Sequence, residues 1–229
     1  MMTLFWDIDD TLLDFKRGEG VALRQTLQNI GIAPTDEVVR LYSEINEGLW
    51  KRLERGEVTR AEILVGRFER LFAALGVTGD AAATQDLYFS FLGEQHDFID
   101  GAKEVLDALH GKYRMYAVSN GTTSIQTRRM AAADLNRYFE KVFLSQSIGA
   151  EKPSAAFFDA CFAALPDVKR EDVLIIGDSL TSDMRGGENA GLKTCWFNPH
   201  GKENTVGVHI DYEIADLTQL LQILADETL

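Results

Sequence analysis

The stretch Thr3-Leu4-Phe5-Trp6-Asp7-Ile8-Asp9-Asp10-Thr11-Leu12-Leu13 constrains this chain more than any other. A short apolar run that breaks off into a carboxylate cluster reads as a buried strand whose C-terminal end opens onto a site, because acids that crowded need a cation or a reaction to justify them. On extended backbone, residues two apart project to the same side. Asp7 and Asp9 can therefore address one substrate together, with Asp10 turned away.

After Leu13 the pattern changes to long amphipathic segments and stays helical to about residue 97. The spacing predicts helices near 18–30, 36–54, 60–75 and 81–94, with breaks at Gly31 to Pro34, Gly56 and Gly76 to Gly79. Thr35 and Thr59 read as N-caps, and Thr59 with Glu62 has the capping-box spacing. From about residue 98, short apolar strands alternate with helices of about ten residues, the rhythm of a parallel sheet. Strands are expected at Arg114 to Ser119, Lys141 to Ser145, Val173 to Asp178, Thr194 to Asn198 and, more weakly, Asp211 to Ala215. Helices at 101–111, 123–134, 154–165, 183–190 and 217–226 fill the gaps. The expected fold is α/β: a parallel-sheet core from 1–14 and 98–229, interrupted by a helical unit at 15–97.

In such sheets ligands bind beyond the C-terminal strand ends. Three of those ends carry polar groups: Asp7, then Ser119-Asn120-Gly121, then Gly177-Asp178-Ser179. Lys152, in Gly149-Ala150-Glu151-Lys152-Pro153, adds a positive charge from a turn that leads into a helix. Four carboxylates (Asp7, Asp9, Asp178, Asp183) around one pocket would repel each other and any phosphate unless a divalent cation sits among them, and all-oxygen ligands select Mg²⁺. With that cation present, Asp7 is the candidate nucleophile on phosphorus and Asp9 the candidate acid and base for the leaving alkoxide and the attacking water. Ser119, Asn120 and Lys152 would hold the phosphoryl oxygens. Asp178 would ligate the metal, with Asp183 orienting the ligands from behind.

Asp7-x-Asp9-x-Thr11, Ser119, Lys152-Pro153 and Gly177-Asp178-x-x-x-x-Asp183 resemble, in order and spacing, the four motifs of the haloacid dehalogenase-like (HAD) hydrolases. The resemblance implies a Rossmann-like core and Mg²⁺ held by Asp7, the Asp9 backbone carbonyl and Asp178. It also implies that the helical insert is a cap domain that chooses the substrate. Asn46-Glu47-Gly48-Leu49-Trp50, Gly56-Glu57-Val58-Thr59, Gly66-Arg67-Phe68-Glu69 and Gly186-Gly187-Glu188-Asn189-Ala190-Gly191 further resemble the bacterial YjjG-type pyrimidine 5′-nucleotidases. That resemblance implies hydrolysis of nucleoside monophosphates, including non-canonical pyrimidines. By their own chemistry, stacking for Trp50 and bidentate hydrogen bonding for Arg67, these two are the cap residues to test for base or ribose contacts.

Competing readings are a phosphatase for another small metabolite, such as a phosphoglycolate-like acid or a sugar phosphate, a 2-haloacid dehalogenase, and a non-enzymatic binder of phosphorylated ligands. Halide leaves without a proton, so a dehalogenase has no use for Asp9. An intact set of nucleophile, acid and metal ligands argues against a mere binder. The small residues Gly186, Gly187, Ala190 and Gly191 lack a Walker lysine and read as close packing of helix on sheet. The aromatic residues Tyr42, Trp50, Phe68, Phe72, Tyr88 and Phe89 recur at helical spacing, and each reads first as core of the insert.

A formal net charge of −13 with no basic patch argues against nucleic acid polymers and anionic membrane surfaces as partners, and an anionic substrate would need local positive charge; the partner the motifs point to is a small phosphomonoester. Cys161 and Cys195 lack metal spacing and read as buried thiols of a reducing compartment. With no signal segment and no apolar run of about 18 to 20 residues, the expected location is the cytoplasm.

Overall fold

A computed structural model describes residues 2–226. The chain forms two compact units. One is built from the residues before Phe15 together with those from His96 onward, and the other is Phe15–Gln95.

The first unit is a parallel sheet of six strands among the described residues: β1 (Thr3–Trp6), β2 (Arg114–Ser119), β3 (Lys141–Leu144), β4 (Val173–Gly177), β5 (Lys193–Phe197) and β6 (Tyr212–Ile214), in the order β3-β2-β1-β4-β5-β6. β1 sits between β2 and β4, in register from Thr3 opposite Arg114 and Val173. The chain leaves β1 for one half of the sheet and later returns to build the other. The strand order thus reverses at β1, the point where an α/β sheet opens a crevice at its carboxyl ends.

Alternation along β1 loads both faces. Leu4 and Trp6 belong to a cluster with Leu106, Met130 and Leu220, whereas Phe5 joins Phe157, Phe158 and Cys161 on the other side. All three strand side chains are fully buried, each contributing about 1.5–3 kcal/mol of transfer free energy. This two-sided burial fixes the register, and with it the positions of the polar residues that follow the strands.

In the second unit, the four helices of Phe15–Gln95 are α1 (Phe15–Asn29), α2 (Asp36–Glu54), α3 (Arg60–Leu75) and α4 (Ala81–Leu92). Thr35 caps α2 by accepting from the Val38 amide, and Thr59 and Glu62 form the reciprocal capping box of α3. Helix α1 starts at Phe15, three residues before the expected position. Gly18 lies inside it because a Cβ there would come within 2.8 Å of Gln95 Cβ, so this glycine serves a close approach and does not break the helix.

The remaining helices of the sheet unit are α5 (Ala102–Leu109), α6 (Thr123–Ala132), α7 (Ser145–Ile148), α8 (Ala155–Ala163), α9 (Arg185–Ala190) and α10 (Gln219–Asp226). The helix expected over 183–190 is preceded by a wide π-helical turn, Leu180–Met184, and Asp183 lies in that turn. Gly186 and Gly187 serve packing: a Cβ on the first would meet the Phe158 ring at 2.7 Å, and on the second Ile175 and Thr194 at 2.7 Å. Among the described residues no helix is long and apolar enough to cross a membrane.

Candidate active site

Asp7 follows β1 directly, and its amide prolongs the ladder by donating to the Ile176 carbonyl at 2.9 Å. Beyond it the backbone curls, with the Leu12 and Leu13 amides both donating to the Ile8 carbonyl at 2.9 Å. Asp10 takes the left-handed conformation (φ 59°) that this curl requires and that aspartate tolerates better than most side chains. The curl brings the Thr11 hydroxyl back onto Asp7 Oδ2 at 3.2 Å, which fixes one carboxylate oxygen.

Lys152 holds the other. Its ammonium, only 1% exposed, donates to Asp7 Oδ1 at 2.7 Å, Asp183 Oδ1 at 2.6 Å and the Val118 carbonyl at 2.9 Å, using all three of its protons. The lysine is set in place by Asn120, whose side-chain amide donates to the Lys152 carbonyl and accepts from the Lys152 amide, both at 2.9 Å. The Asn120 side chain, expected to hold phosphate, thus ties the end of β2 to the lysine turn.

Asp183 reaches the cluster from the π-helical turn. A Cβ at Gly177 would fall 2.3 Å from its carboxylate carbon, so the glycine that ends β4 makes the space Asp183 occupies. The Ser179 amide donates to Asp183 Oδ2 at 3.2 Å, and Asp183 is itself buried. Asp183, expected behind the metal ligands, thus stands beside them: Asp7, Asp178 and Asp183 each present a carboxylate oxygen within 4.8 Å of the others.

The electrostatics follow from this crowding. Burial pushes the Asp7 carboxyl well above its usual range, Asp183 raises it further, Lys152 pulls it back, and Asp178 and Asp9 add to the rise. Burial alone would lower the Lys152 ammonium, but Asp183 and Asp7 outweigh it and hold the group protonated above its ordinary value. Three carboxylates face one ammonium, an imbalance that a divalent cation would neutralise. The all-oxygen donor set has the hardness Mg²⁺ prefers.

Ser119 ends β2 with its hydroxyl buried, accepting from the Gly121 amide at 3.0 Å and from Gln126 Nε2 at 2.9 Å. The same Gln126 nitrogen donates to Asp9 Oδ2 at 2.7 Å, and the Arg129 guanidinium pairs with Asp9 Oδ1. Sequence reasoning missed Gln126 and Arg129. The available signal was their i, i+3 spacing on α6, which puts both on one helix face between the buried Ile125 and Met130.

Within the helical unit, Arg67, expected to meet a nucleoside, is enclosed by its own neighbours. It is 2% exposed, donates to Gln85 Oε1 at 2.7 and 3.0 Å and to Asn46 Oδ1 at 3.1 Å, and lies over the rings of Tyr88, Phe89, Phe68 and Tyr42. A guanidinium enclosed in this way is occupied by its own unit, with no face left for a nucleoside. Trp50, also expected to meet a nucleoside, is half-buried, donates its indole N–H to Asn46 Oδ1 at 3.1 Å and carries the Arg60 guanidinium on its ring. Tyr42, Phe68 and Tyr88 form the core of this unit, with ring centroids 5.3–5.7 Å apart.

Residues 1–191 match the family model of the haloacid dehalogenase-like hydrolases. The pyrimidine 5′-nucleotidase PynA of Streptococcus pneumoniae is 39% identical over 96% of this chain and 94% of its own length. The pyrimidine 5′-nucleotidase YjjG of Escherichia coli is 29% identical over 96% of each. Among solved structures, the HAD-hydrolase YfnB of Bacillus subtilis, crystallised with magnesium, superposes with a TM-score of 0.93 at 38% identity over 98% of both chains.

Proposed function

The chain belongs to the haloacid dehalogenase-like hydrolases, and we propose that it is a Mg²⁺-dependent phosphomonoesterase acting on pyrimidine nucleoside 5′-monophosphates. The observation that carries the phosphoryl chemistry is the placement of one buried ammonium, Lys152, between Asp7 and Asp183, beside a three-carboxylate cluster. The pyrimidine preference rests on similarity over nearly the whole chain to PynA and YjjG, both of which are pyrimidine 5′-nucleotidases.

Asp7 is the nucleophile. Lys152 and Thr11 each hold one of its oxygens, which limits rotation of the carboxylate and presents an oxygen to phosphorus. As the Asp7–phosphorus bond forms, the phosphorus–oxygen bond to the nucleoside breaks and the proton of Asp9 passes to the departing 5′-oxygen. Asp9, now ionised, takes a proton from the water that attacks the aspartyl-phosphate, which frees inorganic phosphate and restores Asp7. Ser119 is the donor for the phosphoryl oxygens, where charge accumulates in the transition state, and Lys152, its three protons held by Asp7, Asp183 and the Val118 carbonyl, supplies positive charge beside them. Asp7 and Asp178, with Asp183 adjoining, are the residues that would hold Mg²⁺. The bound ion would neutralise the phosphoryl charge that these acids otherwise repel.

The test is phosphate release with Mg²⁺ and with EDTA across UMP, dUMP, dTMP, AMP, GMP, phosphoglycolate and sugar phosphates. Mg²⁺-dependent release favouring the pyrimidine monophosphates is expected. Release from phosphoglycolate or sugar phosphates alone would keep the chemistry and discard the nucleotide, and turnover undiminished in EDTA would remove the metal from it.

A further inference from the structure

We infer that Gln126 and Arg129, on one face of α6, are positioning residues for the acid/base Asp9. The inference rests on the phosphomonoesterase reading above and extends it to residues that belong to none of the four motifs.

Each Asp9 oxygen has its own donor on the helix: Gln126 Nε2 at Oδ2 and the Arg129 guanidinium at Oδ1. The two donors are also tied to each other, with Arg129 Nη1 donating to Gln126 Oε1 at 3.0 Å. Both helix side chains are 1% exposed, whereas the Asp9 side chain is 27% exposed. The carboxylate is therefore gripped from its buried side and open on the other. A planar guanidinium and an amide meeting the two oxygens of one carboxylate fix its rotation as well as its place.

The same amide nitrogen also donates to Ser119 Oγ, so a single side chain sets the distance between a phosphate donor and the acid/base. Gly121 shows how tightly Gln126 is seated, since a Cβ there would fall 2.5 Å from both its Cγ and its amide nitrogen. Burying a guanidinium costs several kcal/mol unless it is paired, and Asp9 is the carboxylate that Arg129 meets.

A group that only supports the fold, when altered, slows every substrate alike. A group that aims the general acid matters in proportion to how much the leaving oxygen needs a proton. The experiment is a leaving-group series with Mg²⁺: para-nitrophenyl phosphate, phenyl phosphate and UMP, measured as kcat/KM for the wild type, Arg129→Met, Arg129→Lys and Gln126→Met. In Arg129→Met, kcat/KM should fall about 100-fold for UMP, about tenfold for phenyl phosphate and only about twofold for para-nitrophenyl phosphate, within the range general acid catalysis supplies. Arg129→Lys, which keeps a cation, should recover most of the loss on UMP. Gln126→Met gives the same graded pattern and serves where Arg129→Met does not fold.

An equal fall across the series, or no fall on UMP, overturns the positioning role. Should the wild type turn over the two aryl esters but not UMP, the nucleotide assignment fails while the aryl pair still tests Arg129. A wild type inactive on all three overturns the phosphatase reading, and this inference with it.

Discussion

Lys152 Nζ lies 2.7 Å from Asp7 Oδ1, joining residues 145 positions apart in the chain inside a buried site. The lysine has two tasks there. It opposes the rise that burial and three neighbouring carboxylates impose on the Asp7 carboxyl, and in the proposed reaction it supplies positive charge beside the phosphoryl group.

Replacing that ammonium should separate the two tasks. Lys152→Met should lower kcat/KM by about 10²–10³-fold, the loss typical of one preorganised donor. In EDTA it should also destabilise the protein by about 3–5 kcal/mol, because Asp7 and Asp183 are left buried with no cation. The double variant Lys152→Met/Asp183→Asn should regain part of that stability in urea unfolding and none of the activity. Equal stability of the single and double variants would show that Asp183 is not the partner that matters.

Gly177 ends β4 against the Asp183 carboxylate, and no side chain fits between them. Gly177→Ala should therefore move Asp183 off Lys152 Nζ and away from Asp7 and Asp178. The expected result is Mg²⁺ affinity weakened about 10- to 100-fold, read from the Mg²⁺ dependence of turnover, the range seen when a residue supporting a metal site is lost. Unchanged Mg²⁺ dependence would mean that the metal site does not use Asp183.

The sheet and the strand ends were legible because apolar runs and the polar residues that stop them are adjacent in sequence. Asp7 and Asp178 each follow a strand, and Ser119 ends one, whose burial fixes where it stops. Asp183 was harder, since whether it ligates or only orients depends on a π-helical turn and on an absent Cβ at Gly177, neither of which leaves a periodic signal. Arg129 was illegible for a similar reason: its partner Asp9 is 120 residues away, and a lone arginine on a helix reads as a solvated one. Arg67 is hard to read in the opposite sense: the aromatic stripe around it reads as core, yet an arginine beside that stripe reads as one turned to a ligand, and only the fold shows how far the rings enclose it.

That enclosure makes Arg67 a test of the helical unit. Arg67→Met strips Gln85 and Asn46 of a shared donor and removes a cation from four rings. Stability should fall by about 2–4 kcal/mol, as for a buried charged hydrogen-bond network that loses its donor. The order of preference among UMP, AMP and phosphoglycolate should stay as in the wild type. A changed order at unchanged stability would return Arg67 to the ligand.

The two thiols offer a last check that does not depend on catalysis. Cys161 packs against the Phe5 face of the sheet and Cys195 lies within β5, both fully buried, and burial pushes each thiol up to about 12. The thiolate is the reactive form, so at about pH 8 the folded protein should consume almost no Ellman's reagent over minutes, while urea-unfolded protein should consume two equivalents at once. Because access is the larger barrier, raising the pH of the folded protein by one unit should speed the slow reaction far less than unfolding it does. A fast single equivalent in the native state would show that one of the two faces of the sheet opens readily, and the peptide carrying the label would identify which.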